Sequence, residues 1–213
     1  MMRGCFVTFE GGEGVGKTTL INALKAKAEA VPREFVFTRE PGGSRRAEAL
    51  REVLLGHSDA NDPMSAETEA LIICAARSDH VDATIRPALS RGAVVMCDRF
   101  SDSTRAYQGQ RADASLIEAS ILLATKGLEP DLTILLDGDP EKLLQRRADR
   151  AGPNDRFELK DLSFHRDVRQ AFLKTAETFQ HRFEVLNAEE DTKTIQKKTV
   201  DILNRRFDLG LAS

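Results

Sequence analysis

The sequence predicts a single doubly wound α/β domain, a five-stranded parallel sheet covered by helices on both faces. Short continuous apolar runs alternate with helical patterns from one end of the chain to the other. Those runs lack the in–out alternation of a half-exposed sheet, so both faces of their strands must be covered. The 213 residues, 41% hydrophobic and 31% charged, suffice for one core and argue against disorder. In such a domain ligands gather at the carboxyl ends of the strands.

Residues 5–9 form the first strand, followed by glycines and a helical pattern carrying Leu20, Ile21 and Leu24. A second strand over 35–38 is ended by Pro41-Gly42-Gly43, and 47–55 reads as a short amphipathic helix. A longer helix is expected over about 66–85, stopping before Pro87. Strands at 93–97 and 132–136 each run into an aspartate, Asp98 and Asp137. Asp139-Pro140 supplies an N-cap and first-turn proline for the helix carrying Leu143 and Leu144. A helix over about 162–181, a last strand at 183–186 and a terminal helix with Ile195 and Ile202 complete the series.

Composition narrows the function classes. A formal charge of −3 lacks the basic field of a general nucleic-acid binder. No apolar stretch approaches the ~20 residues of a membrane span, and the N-terminus shows no signal-peptide pattern. Cys5, Cys74 and Cys97 are odd in number and lack metal-type spacing, so they read as small core residues in a reducing cytoplasm.

Gly11-Gly12-Glu13-Gly14-Val15-Gly16-Lys17-Thr18 fits G-x-x-x-x-G-K-[ST] between a predicted strand and a predicted helix. Its amides and the following helix N-terminus suit the phosphates of ATP. Lys17 is assigned to the β- and γ-phosphates, Thr18 to Mg²⁺, and Thr19 joins the ATP-binding set. Asp98, ending a hydrophobic strand, is the candidate acid on the metal side. Asp137 meets the same criterion; Asp98 is preferred because Arg99 follows it, setting a phosphate-side base beside a metal-side acid.

No Asn-Lys-x-Asp sequence is present, so the usual guanine-reading loop is missing. A phosphate acceptor needs no strong general base, because its second pKa lies near 6. The remaining task is to bring two polyanions together, and that requires arginines. Phe9-Glu10-Gly11, Thr38-Arg39-Glu40-Pro41-Gly42-Gly43, Asp98-Arg99-Phe100, Ala106-Tyr107-Gln108-Gly109 and Asp155-Arg156-Phe157-Glu158 occur in that order. In this ordered set the chain resembles the bacterial thymidylate kinases. The resemblance implies a three-layer P-loop NTPase fold, ATP with Mg²⁺, dTMP as acceptor, and a homodimer.

Carried over residue by residue, the resemblance implies that Arg51 and Arg99 grip the monophosphate and that Arg77 bonds the thymine carbonyl. Thr104, Tyr107 and Gln108, spaced i, i+3 and i+4, match positions that read the thymine edge and the deoxyribose. Glu13 matches an acidic residue on the sugar side of dTMP. Ile73, four residues before Arg77, stands where that family usually has a phenylalanine stacked on thymine. The pocket wall survives without its π-face, at a cost of about 0.5–1.5 kcal/mol. Glu10 reads as structural, and Arg105 has no evident role.

Residues 1–213 read as one kinase domain with a lid segment at about 146–158. Arg146, Arg147, Arg150 and Arg156 cluster around Gly152-Pro153-Asn154 and look like the lid of nucleoside monophosphate kinases. Arg146 is assigned to stacking on adenine and Arg150, as a catalytic group with Lys17, Asp98 and Arg99, to the phosphates. Two other readings stay open: a kinase for another pyrimidine monophosphate, encouraged by Ile73, and a non-catalytic nucleotide-binding protein.

Overall fold

The computed structural model describes residues 3–56, 64–148, 157 and 160–212, without side chains for 144 and 146–148. Five strands, β1 (Cys5–Glu10), β2 (Phe35–Arg39), β3 (Val94–Asp98), β4 (Leu132–Asp137) and β5 (Phe183–Asn187), form one sheet. All neighbours run parallel in the order β2-β3-β1-β4-β5. The central strand therefore has β3 on one side and β4 on the other. Strand order reverses direction beside it, where an open α/β sheet forms its crevice.

Period-2 alternation divides each strand between two cores. Cys5, Val7 and Phe9 of β1, Val94 and Met96 of β3, and Leu132, Ile134 and Leu136 of β4 meet α1 (Lys17–Ala28) and α9 (Thr192–Phe207). Phe6, Val95 and Cys97 point the other way, toward Val81, Ile85, Ala88 and Phe100. Leu135 of β4 joins a third cluster with α5 (Ser101–Tyr107) and α8 (Leu162–Thr178), through Ala106, Tyr107, Val168 and Phe172. The three-layer α/β architecture is thus the predicted one. Every strand extends one residue beyond its predicted C-terminal end, and β3 begins one residue later than expected.

Two helical features depart from expectation. The predicted helix over 66–85 does not stop before Pro87. After α3 (Ala66–His80) the chain makes one π-helical turn, Val81–Ile85, and continues as α4 (Arg86–Ser90). Arg86 N–H reaches back to Val81 O, and this wider turn accommodates the proline, which has no N–H to contribute. The second departure is α6 (Ala114–Thr125), absent from the sequence reading. It packs on α3 through Ile117, Ile121 and Ala124 against Ala70 and Cys74. Also present are α2 (Arg45–Gly56), packed on α3, and α7 (Pro140–Ala148) beside α8. As predicted, Asp139 caps α7, its Oδ1 accepting from Glu141 N–H at 3.0 Å. All three cysteines are buried thiols.

Candidate active site

The phosphate loop joins β1 to α1, and its geometry depends on glycine at two points. A Cβ on Gly11 would collide with the carbonyl oxygen of Leu136, so only glycine lets the loop lie so close to β4. Gly16 is left-handed, φ 93°, and begins α1 with no side-chain cap. The first amides of α1 are therefore left for an anion. A Cβ built on Gly12 or Gly16 would meet nothing within 4 Å, so the protein leaves open space beside the loop at both positions. Lys17 crosses beneath it, its Nζ donating to Gly11 O and Gly12 O at 3.0 Å each. Burial, and then the charge of Arg99, lowers the Lys17 pKa to about 8.

Beside the loop lies an open cleft whose lining includes Glu13, Arg51, Ile73, Arg77, Arg99, Thr104, Tyr107 and Gln108. These are all eight residues that the resemblance assigned to the acceptor, and they come from the phosphate loop, α2, α3, the end of β3 and α5. Gln108 stands just past α5 as its C-cap, still in helical conformation. Arg51 Nη1 donates to Pro41 O at 2.8 Å.

Arg99 is the centre of the site. Its backbone is left-handed, φ 67°, a strained conformation for a long side chain that surrounding bonds must hold. Nη1 donates to Gly11 O at 2.9 Å and Ser103 Oγ at 3.1 Å; Nη2 donates to Glu13 Oε1 at 2.7 Å and Tyr107 Oη at 3.2 Å. Tyr107 in turn donates to Glu13 Oε1 at 2.8 Å. Burial alone would raise the Glu13 pKa, but the charges of Arg99 and Lys17 outweigh it and bring it to about 2. Behind them Glu10, wholly buried, accepts from Phe100 N–H at 2.8 Å and Ser103 Oγ at 2.6 Å. Burial, then nearby Asp102, pushes its carboxyl up.

On the far wall Arg77 is fully buried. Its Nε donates to Glu40 Oε2 at 2.7 Å, and its Nη2 donates to Phe100 O and Thr104 Oγ1 at 3.0 Å each. Glu40 Oε1 also meets His80 Nδ1 at 2.9 Å, and His80 Nε2 meets Thr38 Oγ1 at 2.7 Å. In the sequence Glu40 is only one member of the Thr38–Gly43 motif, yet in the fold it anchors the arginine through a contact 37 residues distant. Ser103 was also missed, although it follows Arg99 by one helical turn.

The two strand-end aspartates part company here. Asp137 is held bidentately by Arg169, at 2.7 and 2.8 Å. Asp98 Oδ1 is buried with no hydrogen-bond partner among the described residues. With the hydroxyl of Thr18, an exposed residue in the first turn of α1, it offers hard oxygen donors of the kind a small divalent cation takes when phosphates and water fill its other positions. Among the described residues no group of three or more His, Cys, Asp or Glu could form an all-protein metal site.

A further cleft, beyond Gly14 and Gly16, is walled by Thr19, Ala188, Glu190, Ile195 and Gln196. Arg105 has its explanation in packing: it donates to Asp102 and, through two bonds, to Glu118, and lies 5.2 Å over the Phe179 ring. Arg150 and Arg156, with nearly all of the predicted lid, lie outside the described residues, as do the side chains of Arg146 and Arg147.

Comparison with known proteins agrees with this geometry. The family model for thymidylate kinase matches residues 9–199. A thymidylate kinase of Lactobacillus delbrueckii subsp. bulgaricus is 44% identical over 97% of this chain and 98% of its own length. One from Caulobacter vibrioides is 44% identical over 98% of this chain and 100% of its own. A third, from a Bradyrhizobium species, is 43% identical over 99% and 94%. A phosphate loop beside a cleft lined by arginines, matched along nearly the whole sequence, places the chain in the thymidylate kinase family.

Proposed function

We propose that the protein transfers the γ-phosphoryl group of ATP to dTMP, giving ADP and dTDP. The carrying observation is that the phosphate loop and the arginine-lined cleft share a wall, Glu13, which Arg99 locks in place. Two phosphate-bearing ligands seated on either side of that wall meet end to end. An oxygen of the dTMP phosphate then attacks the γ-phosphorus as the bond to the bridging oxygen of ADP breaks. The attacking phosphate is largely dianionic at neutral pH, so positioning and charge are what the protein must supply.

In this reading the amides of Gly11 to Gly16 and the ammonium of Lys17 hold the donor phosphates. Arg99 and Arg51 take the acceptor phosphate, for which guanidinium forks are suited. Arg77, Thr104 and Gln108 face the base, Ile73 walls it, and Tyr107 and Glu13 border the sugar. Thr19 and the cleft beside Gln196 receive the nucleoside of ATP. Thr18 and Asp98 would hold Mg²⁺, whose charge offsets that on the phosphate oxygens. From the segment at about 146–158, Arg150 serves the transferring phosphoryl group and Arg146 the adenine.

We read residues 1–213 as one domain that pairs as a homodimer. Leu71 of α3 and Leu122 and Leu123 of α6 support this, being large apolar side chains left exposed on two helices packed together. The buried, unpaired cysteines favour the cytoplasm, and among the described residues no helix is long and apolar enough to cross a membrane.

The test is ADP release from ATP and Mg²⁺ with dTMP, dUMP, dCMP and AMP. Turnover on dTMP far above the others is expected. Equal turnover on dUMP would assign the aliphatic Ile73 wall to a broader pyrimidine site, and no turnover on any acceptor would leave a nucleotide-binding protein.

A further inference from the structure

Gln108 brings an amide to the acceptor cleft, and an amide has two unlike ends: its oxygen accepts and its NH₂ donates. Which end faces the cleft decides which ring edge it can meet. The structure contains a device that makes this choice. Gln108 Nε2 donates to Glu69 Oε2 at 3.2 Å, and the same carboxylate oxygen accepts from Arg111 Nη2 at 2.7 Å. Glu69 is only 3% exposed and sits in the first turn of α3, where the helix dipole favours negative charge. A carboxylate paired with a guanidinium offers acceptors only. Reversing the amide would set two acceptor oxygens against each other with no proton between them, a buried mismatch costing far more than the bond gains. Nε2 is therefore committed to Glu69, and Oε1 is the end left for the cleft that Gln108 lines.

We infer that Glu69 is a positioning residue for acceptor choice: with Arg111 it orients the Gln108 amide so that the site accepts a hydrogen bond from a ring N–H. The inference rests on the reading of dTMP as acceptor. Thymine and uracil carry a proton on N3, whereas the N3 of cytosine is itself an acceptor. A fixed Oε1 rewards the first and repels the second. Arg111 is placed for this by the turn after α5, where the N–H groups of Arg111 and Ala112 both return to Gln108 O, at 2.9 and 3.1 Å. The oriented residue and the cation that anchors its orienter thus belong to one short turn.

The test is a double-mutant cycle. Glu69→Gln keeps the volume but removes the acceptor-only character. Its KM for dTMP should rise about tenfold, the scale of one hydrogen bond, with KM for ATP unchanged and the dTMP-to-dCMP preference in kcat/KM reduced. In a Gln108→Ala background the same substitution should change KM for dTMP no further, because the group it orients is gone. A purely structural Glu69 would act equally in both backgrounds, and that result overturns the inference, as does an unchanged KM for dTMP in E69Q. If E69Q fails to fold by thermal melting, Arg111→Gln enters the same cycle with the same two outcomes. Wild type without turnover on any monophosphate would sink the acceptor reading itself; active wild type with an additive cycle sinks only the role of Glu69.

Discussion

Arg99 Nη2 lies 2.7 Å from Glu13 Oε1, tying the residue after β3 to the middle of the phosphate loop. Both side chains are largely buried, and the arginine holds its left-handed backbone against steric cost. Such an arrangement serves registry: it fixes where the acceptor side stands relative to the donor side. Phosphoryl transfer between two bound anions depends on that registry, because misplacement by about 1 Å costs on the order of 10²-fold in rate.

Glu13→Gln tests how much the pair contributes to stability. The Glu13 pKa is about 2 in the fold against an ordinary 4.5, so its stabilisation is complete above pH 4.5 and disappears as pH falls through 2. At pH 7 the variant should lose about 1–3 kcal/mol. Urea denaturation from pH 7 downward should show the difference from wild type constant to about pH 4.5 and shrinking below it. A difference independent of pH would place the stabilisation elsewhere.

Asp98→Asn addresses the cation. The orphaned Oδ1 accepts from no described donor, and the substitution removes the carboxylate with little change in shape. The Mg²⁺ concentration for half-maximal turnover should rise at least about tenfold, the effect of losing one charged ligand contact. KM for dTMP should stay near its wild-type value. An unaltered Mg²⁺ requirement would move the metal-side role away from Asp98.

Most of the fold was legible because the three inner strands, β1, β3 and β4, are largely apolar and buried along their length, a pattern expected of a sheet covered on both sides; the edge strand β5 is broken by Glu184. The phosphate loop was legible because its glycines, lysine and threonine are adjacent in sequence. Helix α6 was not, since Ala114–Thr125 is apolar on nearly every side: α3 covers one face, and Leu122 and Leu123 remain outward. Its N-terminus did carry a local signal, Asp113 accepting from Ser115 and Leu116 N–H. The anchoring roles of Glu40 and Glu69 could not be read locally at all. Each acts on a residue 37 or 39 positions away, and only the fold, which sets α3 beside the residue after β2 and the C-terminal end of α5, brings the partners together.

The exposed leucines of α6 lead to a prediction about assembly. Leu123→Glu places a charge on a face that the proposed homodimer would bury. Sedimentation should show monomer where wild type shows dimer, and thermal stability measured at high dilution should differ little, since Leu123 is 78% exposed in the single chain. A dimer that persists unchanged would place the subunit contact elsewhere.

Lys17 provides a test of the donor side by pH. Its pKa of about 8 follows first from burial and next from the repulsion of Arg99, so the ammonium begins to lose its proton just above neutrality. Triphosphate favours the charged form, and binding above pH 8 must therefore draw a proton from solution. The affinity for ATP should be level up to about pH 8 and weaken beyond it, by at most about tenfold for each further pH unit. Lys17→Arg, whose charge persists across that range, should bind ATP with affinity independent of pH between 7 and 9.5. Calorimetric titration over the same range checks both arms. A wild-type affinity that stays level to pH 9.5 while Lys17→Ala still binds ATP as tightly as wild type would mean that the phosphates do not lie against the Lys17 ammonium, and the donor could not then be seated on the loop as proposed.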